Sequence, residues 1–270
     1  MPLAGRDAPA YVIGVLDRTN AAVPGRQPIF NVPAVITVLA ALMLAVHGLR
    51  ALVSADTDID ILALFAFIPA RYDPSILSDG VLPGGVGADV WTFVSYAFLH
   101  GDVTHIGVNL LWLVAFGSPV ARRFGAVRFL AFFAVTAAAG AGLHLLTHTG
   151  ELVPMIGASA AISGCMAAAI RFVFAAHGFS GLGPAGFEYT VRAPAAPLST
   201  VMRDRRVIGF VAVWFVINLA FGLGAPTGSA DATVAWQAHI GGFIAGLLLF
   251  PLFDPVQRSR REPVSPGEPY

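Results

Sequence analysis

Apolar residues run nearly unbroken through six stretches of the chain: Pro33 to Val53, Val103 to Val120, Arg128 to Thr147, Ser159 to Ala176, Val207 to Leu223 and Thr233 to Phe253. A helix that crosses ~30 Å of hydrocarbon needs ~20 such residues, and each stretch meets that length within a few positions. The polar segments between them predict the connections. The longest, from about Ser54 to Asp102, contains an apolar piece, Ile61 to Ile68, that Pro69 stops and that is too short to span; it is expected at the membrane interface. Pro83 to Gly87 reads as a loop without a following helix, and Gly178 to Pro197, rich in Gly, Pro and Ala, as a flexible connection. The pattern therefore predicts an all-α membrane protein, with residues 31–254 as a six-helix membrane domain between a segment 1–30 and a tail 255–270.

Composition agrees. The 270 residues are 56% hydrophobic and 12% charged, against about 25% charged in a soluble domain. The formal net charge is zero, so no basic surface for nucleic acid is expected. One cysteine, Cys165, allows no intrachain disulfide and reads as packing. The first 30 residues lack the apolar core and cleavage site of a removed leader, so the first span is expected to be a retained anchor.

Charge matters most through its placement. With the N-terminus inside, fourteen of the sixteen arginines fall on the inner side, and only Arg50 and Arg71 on the outer side. The positive-inside rule then predicts both termini in the cytoplasm. The outer segments carry acids instead, among them Asp56, Asp58, Asp60, Asp73, Asp89, Asp102 and Glu151.

Polar side chains inside spans are costly and are functional candidates. Three places qualify: His100, His105 and Asn109 at the start of the second span; Gly157 and Ser159 at the start of the fourth; and His239 in the outer third of the sixth. The deduced topology puts all three at similar depth. His105 and Asn109, four apart, share a helix face. Ser159 opens a helix, where free N–H groups and the positive dipole end can meet a developing negative charge. Taken singly, each residue has a plain structural role: Ser159 bonding its own helix, His239 making an interhelical contact, Asn109 joining helices. Together they describe an acyl-transfer site, with a serine nucleophile, a histidine base and amide donors for an oxyanion.

His-x4-His-x3-Asn, Gly-x-Ser and Ala-His-x-x-Gly, here His100, His105 and Asn109, Gly157 and Ser159, and Ala238, His239 and Gly242, resemble the rhomboid family of intramembrane serine proteases in order, spacing and helix placement. The resemblance covers about Pro33 to Phe253. It implies a six-helix bundle with both termini inside and a long outer loop after the first helix. It also implies a Ser159–His239 dyad without an acidic third member, with Asn109, His105 and the Ser159 N–H binding the oxyanion and His100 supporting the local structure. Cleavage of transmembrane-helix substrates near the outer face, no cofactor and no metal follow from it, as does residence in a bacterial inner membrane. The single-span substrate and the bilayer would be the partners.

Three positions depart from the family pattern. Thr92 follows Trp91 where many members have Arg; Ala160 follows the serine where many have Gly; and Ser163 stands where some carry an aromatic ring that stacks on the histidine. With Ser163 there, the histidine must be oriented by something else. Ser163 lies one turn beyond Ser159 on the same face and is expected to bond the Ser159 carbonyl. The alternative reading is a rhomboid-like protein that binds membrane clients without cutting them. A transporter fits less well, since no Asp or Glu lies well inside a span. A zinc protease fits less well for want of a His-Glu-x-x-His motif.

Overall fold

In a computed structural model, the described residues are 32–73, 75–76, 82–173, 189–223 and 234–256. Among them the regular structure is helical, and the only strand-like pairing is one antiparallel bridge between Phe67 and Met155. The first 30 residues, the tail beyond 256 and most of the Gly/Pro-rich connection lie outside the described residues.

Helix α1 (Ala34–Arg50) buries Ile36, Leu39 and Met43 along one face and leaves Val38, Leu42, Leu44 and Leu49 exposed. The same division recurs in the helix Ala126–Thr147, which leaves Val127, Leu130, Val135 and Leu146 exposed. So much exposed aliphatic surface would drive association in water; against lipid it is the solvated face. Three helices are long and apolar enough to cross a membrane: Val103–Phe124, Ala126–Thr147 and Trp236–Phe253. Ala34–Arg50 and Ser159–Ile170 are shorter apolar helices. The chain is an integral membrane protein.

After α1 come α2 (Ala55–Phe65) and α3 (Gly85–Ser95). The apolar piece Ile61 to Ile68 is not one element: α2 ends at Phe65, and Ala66 is extended. Pro83 to Gly87 is not simply a loop either, because α3 starts at Gly85, one residue after Gly84 takes a left-handed conformation. The two helices are tied by Trp91 Nε1 donating to the Leu64 carbonyl at 2.8 Å and Ser95 Oγ to the Phe65 carbonyl at 2.7 Å. Arg71 reaches back to the Ala63 carbonyl at 2.6 Å and forward to that of Pro83 at 3.0 Å. Thr92 is buried, donates to the Ala88 carbonyl and meets the Tyr72 hydroxyl at 3.0 Å. Arg71, Tyr72 and Trp91 thus hold this segment without an arginine at position 92.

Helix α4 (Val103–Phe124) widens into a π turn at Leu113–Gly117. Helix α5 (Ala126–Thr147) follows Gly125 and buries Phe129, Phe132, Phe133, Thr136, Ala137, Gly140, Ala141 and His144, a stripe at helical spacing. Helix α6 (Ser159–Ile170) is the bundle's core. Every side chain from Ala160 to Ile170 is buried, and most are small. Helices α7 (Arg205–Gly222) and α8 (Trp236–Phe253) complete the set.

Small residues let α5, α6 and α8 meet at backbone distance. A Cβ added at Gly242 would stand 2.0 Å from the Ala160 carbonyl oxygen, one at Gly246 2.4 Å from that of Gly164, and one at Gly241 2.7 Å from that of Ala139. The stripe Ala160, Gly164 faces the stripe Ala238, Gly242, Gly246. Gly140 closes the third side, since its Cβ would meet the Ala160 methyl at 2.6 Å and the Ala238 carbonyl oxygen at 2.7 Å.

At the opposite end, Arg123 is buried and forks onto Asp254 at 2.8 and 2.9 Å. Its remaining nitrogen donates to the carbonyls of Val191 and Ala193. Residues 189–192 form a helical turn, with Val191 and Ala195 buried. The part of the connection from 189 onward is therefore packed, where the Gly, Pro and Ala content suggests a loose loop, because Arg123 supplies its carbonyls with partners.

Candidate active site

Ser159 is the first residue of α6. The turn before it is fixed by Gly157, whose φ is 112° and whose N–H donates to the Tyr96 carbonyl at 3.0 Å. An L side chain is strained at that φ. Two residues earlier, Met155 pairs with Phe67, which ties this turn to the segment after α2. Ala160 lies against Gly140, seven residues before the end of α5. At 1.5 Å per residue the start of α6 is thus recessed roughly 10 Å along the axis from Thr147. The Tyr96 hydroxyl donates to the Ala137 carbonyl at 2.9 Å at the same level.

His239 sits in the first turn of α8, its approach to α6 set by Gly242 on Ala160. Its Nε2 is 2.6 Å from Ser159 Oγ. The structure therefore joins two residues 80 positions apart. Its Nδ1 is hydrogen-bonded to Oδ1 of Asn218, on α7.

Helix α4 presents the second group. Asp102 caps it, accepting from the His105 N–H at 2.8 Å. The His105 ring accepts at Nδ1 from the Gly101 N–H, 3.4 Å away, which leaves the ring proton on Nε2. That nitrogen faces the turn before Ser159: a Cβ at Gly157 would lie 2.6 Å from it. Asn109 is buried one turn on, and its Nδ2 donates to the His105 carbonyl at 2.9 Å, within its own helix. His100 precedes α4, buried, with its ring edge-on to that of His105 at 5.1 Å. Its carbonyl accepts from Arg50 at 2.9 Å and from His47 at 3.3 Å, and Arg50 is held in turn by Asp58. Burial, and then the neighbouring His105, push the His100 imidazole down to about 4.

Ser159 with His239, and His105 with Gly157, are thus in direct contact. Asn109 hydrogen-bonds within α4, and His100 stands behind His105. Ser163 Oγ donates to the Ser159 carbonyl at 2.7 Å, as its spacing suggests. Sequence reasoning missed Asn218, although the signal was there: an amide inside the span Val207 to Leu223 is as misplaced as the histidine it meets. Among the described residues no cluster of His, Cys, Asp or Glu is placed to hold a metal.

A recessed serine at a helix N-terminus, bonded to a histidine on a neighbouring helix, defines a membrane-embedded bundle built around a serine–histidine pair. The Rhomboid domain model matches residues 87–254. RHOMBOID-like protein 4 of Arabidopsis thaliana is 25% identical over 207 residues, 73% of this chain and 45% of its own length. Rhomboid protease GlpG of Serratia proteamaculans is 28% identical over 173 residues, 64% of this chain and 51% of its own. Rhomboid protease GluP of Bacillus subtilis is 28% identical over 157 residues, 58% of this chain and 24% of its own. The chain spans about half the length, or less, of these relatives. It belongs to the rhomboid family.

Proposed function

We propose that this protein is an intramembrane serine endopeptidase that uses Ser159 as nucleophile and His239 as base. The observation that carries the reading is the 2.6 Å contact between Ser159 Oγ and His239 Nε2 at the recessed N-terminus of α6. In the reaction, Oγ bonds to the scissile carbonyl carbon as its proton passes to Nε2. The carbonyl oxygen becomes an oxyanion beside the free N–H groups of the first turn of α6 and the Nε2–H of His105, with the Asn109 amide one turn away. His239 then gives its proton to the leaving amine, and water hydrolyses the acyl-enzyme by the reverse sequence. Gly157 keeps the turn open and leaves room for His105. His100 braces the His105 ring from behind.

The substrates are transmembrane helices of single-span proteins, cut near the outer face. A site recessed roughly 10 Å in a lipid-facing bundle suits a chain already in the bilayer. Six spans in residues 31–254, both termini in the cytoplasm and a bacterial inner membrane complete the proposal. The arginine distribution supports the orientation, and a reporter fused after Phe253 should read as cytoplasmic. The activity is tested by incubating the purified protein in detergent with a model single-span substrate, beside Ser159→Ala. Cleavage by the wild type alone supports the reading. Equal cleavage by both, or by neither, refutes it.

A further inference from the structure

A dyad leaves one nitrogen of its histidine unassigned, and the aromatic brace that the resemblance gives some family members is absent here because position 163 is serine. The unassigned nitrogen, His239 Nδ1, meets Oδ1 of Asn218. The amide end is not arbitrary. Asn218 Nδ2 donates to the Trp214 carbonyl of its own helix at 2.7 Å, which turns the oxygen toward the imidazole. An oxygen without a proton can only accept, so Nδ1 carries the hydrogen. The lone pair is then on Nε2, the nitrogen that faces Ser159 Oγ.

We propose that Asn218 is the positioning residue of a Ser159–His239–Asn218 triad. The proposal rests on the peptidase reading above. Asn218 fixes the tautomer and ring angle of His239 and keeps its hydrogen bond as the imidazole takes up the serine proton. It is more than nine-tenths buried, on a helix with a lipid-facing apolar side. A neutral amide does this work where a carboxylate would have to be held as a charge among apolar helices. The contact is not needed to hold α7 in place, because Trp214 stacks on Phe243 of α8 at 4.9 Å and Phe210 meets Phe116 of α4 at 6.1 Å.

The test uses the full chain, labelled with ¹⁵N-histidine in detergent, with the His239 signals assigned against His239→Gln. The ring nitrogens report the tautomer directly. Wild type should show Nδ1–H. Asn218→Leu, similar in shape and at home in a membrane helix, should lose that single tautomer, and Asn218→Asp should keep it. Kinetics on a single-span substrate should follow. General-base assistance is worth about 10²–10⁴-fold, so a base present but unoriented should lose roughly 10–100-fold in kcat. KM should move by less than about threefold, since ground-state binding is untouched, and Asn218→Asp should be faster than Asn218→Leu. A wild type with Nε2–H, or an Asn218→Leu variant with unchanged tautomer and kcat, overturns the positioning role. The two readings fail separately. A wild type that cuts nothing yet shows Nδ1–H refutes the peptidase and keeps the Asn218 contact. A Ser159-dependent peptidase indifferent to Asn218→Leu does the reverse.

Discussion

At Gly157 a methyl group would stand 2.6 Å from His105 Nε2, on a backbone whose φ of 112° suits glycine. One position thus sets the turn that launches Ser159 and the space His105 occupies. Asn109 is less directly engaged, since its Nδ2 donates to the His105 carbonyl. Removing one oxyanion donor commonly costs about 10²–10³ in rate. Asn109→Ala should therefore reduce turnover clearly but less than Ser159→Ala; unchanged turnover would reduce Asn109 to a helix contact. His100 supplies a pH signature. Its ordinary value of 6.5 falls to about 4 in the fold, so its neutral, buried state is fully compatible with folding above pH 6.5. Stability is lost as pH falls from there toward 4, because the unfolded chain takes up the proton first. His47, Arg50 and His105 are the charged groups that act on it, and His100→Gln should lose less of its melting temperature between pH 7.5 and 5 than the wild type in the same detergent. An equal loss would clear His100. These residues were legible in the sequence because histidines, an amide and a serine after glycine stand out against apolar spans. Asn218 stood out equally. It fell outside the three motif clusters, and only the fold shows that position 218 faces 239.

The element scale is ruled by α5, α6 and α8, where Gly140, Gly241, Gly242 and Gly246 meet opposing backbone. Carbonyl oxygens cannot move aside as a flexible side chain can, so Gly242→Ala should force α8 from α6 and part His239 from Ser159. Cleavage should drop with the melting temperature. Gly142→Ala, on α5 with nothing within 4 Å, should change neither. Equal tolerance of both would show that the close packing is not what sets the site. The facing stripes were readable from their four-residue spacing. The π turn at Leu113–Gly117 was not, because it changes no periodicity that a short apolar run displays. Nor was the start of α3 at Gly85, where glycine-rich sequence speaks against helix. There the Trp91 ring lies over Gly87, whose added Cβ would be 2.5 Å from it, and the indole bonds across to Leu64. Tertiary contact overrides propensity at that point.

For the whole molecule, the far end of the bundle depends on Arg123. It links α4 to Asp254 just beyond α8 and to the carbonyls of Val191 and Ala193. Breaking one side of a buried pair typically costs about 3–5 kcal/mol, so Arg123→Met should lower the thermal midpoint in detergent, and adding Asp254→Leu should restore part of the loss. No recovery would mean that the carbonyl contacts, rather than the ion pair, carry the effect. This clamp was hidden in the sequence: Arg123 and Asp254 are 131 positions apart and read as ordinary flanking charges. The membrane class was plain from composition and pattern, whereas how the helices pack was not. What the packing achieves is the pairing of Ser159 with His239, and one measurement tests that pairing most directly. A fluorophosphonate should label the wild type and Ser163→Ala, and fail to label Ser159→Ala and His239→Ala, with peptide mapping placing the adduct on Ser159. An adduct on Ser163, or undiminished labelling of His239→Ala, would contradict the account.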